Sequence, residues 1–324
     1  MKIPKAKNAS NEQPFYDFYR DGVTQSFINK FLTCKMQCKL EYVDGWTPKK
    51  EPIWFTYGKL IHHVLSKCYE LQQVPNYSDI QHIILEYEKS LPQIATADMQ
   101  TKEIIFGIAE MIIPVYFSKY ADDFKRLHIH NESNFNVKCS AGIHFNKDIW
   151  ISGRFDGAFL TPEYDCWILD TKCLSMIDED LGSYLPFDTQ VMLYCWAMHK
   201  LHPNYNIKGF IYNIVRRPMH KMTLKDTSIK VFCERVIKDI MSRMDEFFIR
   251  IQVPITLEEI NDWEHKFLIP VLYEIERWSQ LDYSSYVNSN ALITKYGHCA
   301  MFDLITKSDT TNYYKREVPF GELI

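Results

Sequence analysis

Three charged residues around one turn are spaced as a divalent-cation site would need them. Asp156 lies in Gly153-Arg154-Phe155-Asp156-Gly157, and Asp170 and Lys172 lie in Ile168-Leu169-Asp170-Thr171-Lys172. Between them, Thr161-Pro162-Glu163-Tyr164-Asp165 reads as a turn. Asp156 and Asp170 are equidistant from a turn centred on residue 163, so an antiparallel hairpin sets them opposite each other on one face. Opposed side chains there have Cβ atoms about 4.5–5.5 Å apart, and like charges at that distance are destabilising. A divalent cation between the carboxylates is the simplest remedy. Lys172 stands two residues past Asp170 and so shares its face. The same register predicts Arg154 opposite Lys172.

The neighbours sharpen this reading. Trp167-Ile168-Leu169 leads into Asp170 as a continuous apolar run, typical of a strand buried on both faces. A carboxylate at the end of such a run is partly desolvated and needs a metal or a hydrogen-bonding partner. Two surface carboxylates flanking a turn are the plain alternative, and the apolar approach weighs against it. Gly153 and Gly157 flank Asp156 and leave room for a backbone or substrate to come close.

The elements that must position the hairpin follow from periodicity. Residues 1–20 are polar and expected to be flexible. Ser26 reads as an N-cap, with Phe27, Ile28, Phe31, Leu32 and Met36 following at helical spacing. Gly45 to Pro52 reads as a loop. Helices are predicted over 56–71, 78–90 and 98–126, with Pro114 kinking or splitting the last. Segments 128–139, 143–160 and 166–174 read as strands, 188–202 as a helix and 207–216 as a strand. Two long helices are predicted near 228–250 and 256–280. The second starts with a capping box of Thr256 and Glu259 and is kinked at Pro270. This order predicts a mixed α/β (α+β) fold, a small mixed central sheet flanked by helices. Residues 21–225 are expected to form the core with its N-terminal helical part, and 226–324 a C-terminal helical extension.

The hairpin motifs are similar to the catalytic core of the RecB-like nucleases, a branch of the P-D-(D/E)-x-K superfamily with the pattern G-x-x-D, turn, D-x-K. Gly58 and His62 resemble the family's G-x-x-x-H motif, and Glu132 the glutamate that opens its first core strand. Gln190 and Tyr194 resemble its Q-x-x-x-Y helix motif. Ser26 through Cys34, with Phe31 and Leu32, resembles its opening helix. The resemblance spans residues 26–216. D-x-K alone is a weak signal, and its strength here lies in six motifs in the right order.

The resemblance implies a restriction-endonuclease-like core that hydrolyses DNA phosphodiesters with one or two Mg²⁺ or Mn²⁺ ions. By resemblance His62, Asp156, Asp170 and the main-chain carbonyl of Thr171 hold the metal, and Lys172 orients or activates the attacking water. Its plain alternative is a solvated strand-end lysine. His63 competes with His62 for the ligand role, and Glu132 is either a ligand or a polar lining residue. Gln190 and Tyr194 share one helix face. By resemblance they contact substrate or brace the hairpin, and ordinary helix packing is the alternative. Arg154, Arg216, Arg217, Gln190 and Tyr194 are the candidate DNA contacts. Arg216 and Arg217 could equally form a solvated strand end.

Composition bounds the rest. With 324 residues, 46% hydrophobic and 15% aromatic, the chain can bury one sizeable core, or a core plus an appended helical subdomain. A formal net charge of −4 excludes a polycation, so nucleic-acid binding must come from a local basic patch. No run reaches the ~18 apolar residues needed to cross a bilayer. Met1 to Gln13 lacks the apolar stretch of a signal peptide, so a cytoplasmic location and no membrane partner are expected. The nine cysteines lack paired short spacings and read as reduced thiols. Related exonucleases of CRISPR adaptation and bacterial recombination hold an iron–sulfur cluster with one N-terminal and three C-terminal cysteines. Here Cys34 or Cys38 could supply the first, but the C-terminal region offers only Cys299. No iron–sulfur cluster is therefore expected, only a degenerate remnant of that subdomain.

The function predicted is a DNA exonuclease in recombination, repair or replication, of phage or mobile-element type. It would act on single- or double-stranded ends, with recombination or replication proteins as candidate partners. A structure-selective endonuclease is the first rival. A DNA-binding scaffold with an inactive nuclease fold is the second, and the intact Asp156, Asp170 and Lys172 argue against it.

Overall fold

The computed structural model describes residues 13–49, 53–91, 99–139, 145, 147–294 and 297–323. The expected flexible segment falls mostly on residues 1–12, outside the described residues, as do parts of the expected elements at 50–52, 98, 143, 144 and 146. Residues 13–20 do not follow that expectation. Tyr16 and Phe18 are buried, and Asp17 caps a short helix, Phe18–Asp21.

The chain forms two compact units. One gathers Met1–Glu51, Asn134–Gly153 and Asn261–Ile324, and the other Pro52–Ser133 and Arg154–Ile260. The second contains Asp156, Asp170 and Lys172. Its sheet has five strands, in the order Leu127–Ile129, Gly157–Leu160, Asp165–Lys172, Asn206–Val215 and Phe248–Pro254. The pair Asp165–Lys172 and Asn206–Val215 is parallel and the other pairs are antiparallel, so the sheet is mixed. The parallel pair needs a crossover, which the helix Thr189–Leu201 supplies.

Asp165–Lys172 is the central strand. Its Ile168, Leu169, Asp170 and Thr171 are all buried, as the apolar run predicts. Hairpin partners Gly157↔Leu169 and Phe159↔Trp167 are equidistant from residue 163, so the predicted register holds. Further along, the parallel ladder slips past Lys208, where Cys166 faces Ile207 and Trp167 faces Gly209. Gly209 adopts φ +140, and a Cβ there would lie 2.1 Å from the Val253 carbonyl oxygen, so the bulge requires glycine.

Helices Ile53–Glu70 and Met99–Lys119 bury Leu60, Ile61, Val64, Ile112, Ile113 and Tyr116 in the same core as Phe159, Leu169, Ile211 and Phe248. Full burial of such a side chain is worth roughly 1.5–3 kcal/mol. Pro114 does not split its helix, which runs unbroken from Met99 to Lys119.

Two further expectations are corrected. The opening helix is capped by Thr24, whose hydroxyl accepts from the Phe27 amide, rather than by Ser26, and it ends at Thr33. The helix expected over 228–250 stops at Ser242, and Phe248–Pro254 is a strand. Partnering with Asn206–Val215 overrides the helical spacing there. In the last long helix the Thr256–Glu259 capping box forms, and Pro270 enters where a π-helical turn, Glu264–Leu268, gives way to Ile269–Gln280.

In the other unit, Val23–Thr24 pairs in parallel with Ile149–Phe155, which with Ser133–Cys139 makes a three-stranded sheet. The aromatic rings of Tyr16, Phe27, Phe31 and Trp278 are buried in that unit, Tyr16 against Phe27 and Phe31 against Trp278. Among the described residues no helix is long and apolar enough to cross a membrane.

Candidate active site

The Ile53–Glu70 helix carries His62 to the hairpin. His62 Nδ1 lies 3.1 Å from Asp156 Oδ2 and 3.9 Å from Glu132 Oε1. His63 does not reach the site, since its ring packs 4.7 Å from Tyr87. Asp156 falls between the strands Ile149–Phe155 and Gly157–Leu160, so no ladder pair fixes its side chain. Two groups do: the Thr171 amide donates to Asp156 Oδ2 at 2.7 Å, and His62 approaches the same oxygen. Glu132 is tied to the same loop, with its amide donating to the Asp156 carbonyl. It sits at φ +44, a left-handed conformation rare for a glutamate, which marks a geometry held by its surroundings.

Three ligand atoms, one each from His62, Glu132 and Asp156, lie within 4.8 Å of one another. Among the described residues this is the group able to hold a metal. Two carboxylates and an imidazole suit a divalent cation such as Mg²⁺ or Mn²⁺ through their oxygens, and the imidazole favours Mn²⁺.

Asp170 is not in that group. Its Oδ1 accepts from Gln190 Nε2 at 2.8 Å, and its Oδ2 lies 2.7 Å from Lys172 Nζ. Lys172 Nζ in turn donates to Gln190 Oε1 at 2.8 Å, closing a ring of three side chains. Asp188, which the sequence reading passed over, N-caps the Gln190 helix by accepting from the amides of Gln190 and Val191. An aspartate directly before a helical run was the available signal.

The charges respond to this crowding. Burial pushes the Asp170 carboxyl up to about 6, with the Asp156 charge adding and Lys172 opposing. Burial also opposes ionisation of Asp156, but His62, Lys172 and the Thr171 amide outweigh it and hold its pKa below the usual range. His62 is the mirror case: burial lowers its pKa, and Asp156 and Asp170 together raise it further than burial lowers it. Burial and the Asp156 charge raise Glu132. Lys172 stays charged, because the Asp170 and Asp156 charges outweigh its burial.

The remaining candidates divide. Tyr194 is buried, its ring edge-on to Phe155 with centroids 5.6 Å apart. Arg154 does not stand across from Lys172. Its Nε lies 3.0 Å from Glu132 Oε2, because Phe155 ends one strand and the hairpin ladder begins only at Gly157. The room expected beside Gly153 and Gly157 is filled by the protein itself, by the Phe135 ring and the Asn131 side chain. Arg216 and Arg217 continue directly from the Asn206–Val215 strand. With Met219, His220, Arg243 and Phe247 they line an open cavity of about 250 Å³. That cavity is not a bare cationic surface, since Asp239 lies 3.0 Å from His220 and 2.5 Å from Arg243, and Glu246 2.7 Å from Arg243. In the other unit Cys34 and Cys38 are buried and Cys299 is partly exposed.

No curated protein matches the chain. The model of the PD-(D/E)XK nuclease superfamily matches residues 23–279, a stretch that holds every motif of the hairpin and all of the residues converging on Asp156 and Asp170, and the chain belongs to that superfamily.

Proposed function

We propose that this protein is a divalent-metal-dependent deoxyribonuclease of RecB-like type, acting as an exonuclease at DNA ends. The observation that carries the proposal is the His62–Glu132–Asp156 ligand group beside the Asp170–Lys172–Gln190 ring. Glu132, Asp156 and Asp170 are three carboxylates crowded into one largely buried site, an arrangement that is costly without a cation to balance it. His62, Glu132 and Asp156 would hold the ion, with Asp170 and the Thr171 carbonyl completing its shell. A divalent cation supplies Lewis acidity toward both water and the scissile phosphate.

The chain's own groups do the rest. Lys172, anchored by Asp170 and Gln190, keeps a full positive charge beside the carboxylates and orients the attacking water. Gln190 fixes both Asp170 and Lys172, so its helix motif braces the reacting groups. Tyr194 packs behind the hairpin. Arg216 and Arg217 contact the DNA backbone, and Arg154 screens Glu132 at the rim.

The test is cleavage of labelled linear single-stranded, linear double-stranded and covalently closed circular DNA with Mg²⁺, Mn²⁺ or EDTA. Progressive loss of linear substrates with metal, and survival of closed circles, is the expected result. Cutting of closed circles, or of flaps and junctions in preference to ends, would replace the exonuclease reading with a structure-selective endonuclease. Metal-independent DNA binding with no cleavage of any substrate would make the protein a scaffold.

A further inference from the structure

Behind the D-x-K segment lies a second polar assembly that the chemistry above does not use. Thr171 alternates with Asp170 and Lys172, so its side chain points to the opposite face of the sheet. There Asn213 Nδ2 donates to Thr171 Oγ1 at 3.1 Å, and Arg250 Nε donates to Asn213 Oδ1 at 3.0 Å. Thr171, Asn213 and Arg250 are direct ladder partners across three adjacent strands. Arg250 then grips Asp123 with both terminal nitrogens, at 2.7 and 2.6 Å, and donates to the hydroxyls of Tyr116 and Tyr69. Its guanidinium stacks 3.7 Å from the Tyr120 ring centroid. Asn213, Thr171 and Asp123 are all buried.

Buried polar rows of this kind stabilise little compared with apolar packing, but they specify register. The parallel ladder of these two strands is interrupted by the bulge at Lys208, so the pairing of Asp170–Lys172 with Tyr212–Ile214 is set on the far side of that break. A one-residue slip would turn Asp170 and Lys172 away from the reacting face. It would also withdraw the Thr171 amide from Asp156, whose carboxylate no ladder pair holds. Apolar contacts are non-directional, whereas a Thr–Asn–Arg hydrogen-bonded row has one matching register.

We propose that the buried row Asp123–Arg250–Asn213–Thr171 is a register lock that positions the Asp156 carboxylate for metal binding. The inference rests on the metal-dependent reading of the site, and Thr171 and Asn213 act in it as positioning residues. The test is Thr171→Val, which keeps the β-branched shape and removes the hydroxyl, against Thr171→Ser, which keeps the hydroxyl. Mn²⁺ affinity is measured on the DNA-free full chain by electron paramagnetic resonance, beside melting temperature and the kcat and KM for linear DNA. Thr171→Val is expected to remain folded, to bind Mn²⁺ about tenfold more weakly because the Thr171 amide no longer sits squarely on Asp156, and to lose kcat with KM for DNA little changed; disturbing an outer partner of a metal ligand costs about that much. Thr171→Ser is expected to bind Mn²⁺ like the wild type. Should Thr171→Val fail to fold, Asn213→Leu removes the same hydrogen bond from the other side and is judged by the same affinity. Wild-type Mn²⁺ affinity in a folded Thr171→Val or Asn213→Leu protein overturns the lock alone. Absence of Mn²⁺ binding by the wild type overturns both the lock and the metal-dependent reading.

Discussion

The central strand carries a charged assembly on each face, and the two are built by opposite rules. Behind Thr171, Arg250 meets Asp123, Tyr69, Tyr116 and Asn213, and its nitrogens all find acceptors. Around Asp156 and Asp170 the carboxylates of Glu132, Asp156 and Asp170 crowd His62 and Lys172, with Arg154 at the edge. The first assembly is closed, and removing a member leaves a buried charge uncompensated. The second is open, and its strain shows in raised carboxyl pKa values at Asp170 and Glu132, both driven first by burial.

The largest effect expected on the open side is catalytic. Lys172→Ala removes a charge beside the proposed water without removing a metal ligand. Single-turnover cleavage should fall by about 10²–10⁴-fold while DNA and Mn²⁺ affinities hold. Cleavage at the wild-type rate would end the role given to Lys172.

On the closed side the expected loss is stability. Arg250→Met strands Asp123 and should lower the unfolding free energy by about 3–5 kcal/mol in urea titrations. Asp170→Asn, in the metal-free protein, relieves like-charge crowding and should cost far less. Equal losses from the two variants would erase the distinction between the faces.

A smaller effect separates the faces by pH. His128 is buried against Tyr69 and Phe159, its Nε2 facing the Asp123 carbonyl, and burial pushes its pKa down to about 4. A depressed histidine is neutral when folded, so its contribution is complete above about 6.5 and is lost as pH falls through 4. The loss should be on the order of 2–3 kcal/mol. Stability measured from pH 7 to pH 4 should fall more steeply for the wild type than for His128→Phe. Identical acid limbs would remove His128 from the account.

The smallest effect lies at the rim. Arg216→Ala should weaken DNA binding modestly and reduce its salt dependence by about one unit of slope, leaving the chemical step intact. An unchanged slope would mean that Arg216, which donates to the Ser175 carbonyl, only closes the strand end.

How much of this was legible depended on distance along the chain. The hairpin register was legible because a turn and a period of two determine it, and Gly157↔Leu169 obeys it. Arg154 was misread because that register was carried one strand too far, past the break at Asp156. The strand Phe248–Pro254 was hidden because Val236, Ile240 and Phe247 continue a helical spacing into it, and only its partner strand reveals the change. Asn213 and Arg250 left faint signals, an amide in an apolar strand and a lone cation in Phe248-Ile249-Arg250-Ile251, neither of which names a partner.

By itself the sequence determined that Asp170 and Lys172 share one face, that Thr171 takes the other, and that the motifs of the superfamily occur in order from Gly58 to Tyr194. These follow from local backbone periodicity, which a few residues suffice to express. Only the tertiary structure decided that Gln190 bridges Asp170 and Lys172, and that Arg250 stands behind Thr171 through Asn213. Those contacts join residues tens of positions apart, and helix rotation, strand order and core packing, rather than spacing, bring them within hydrogen-bond reach.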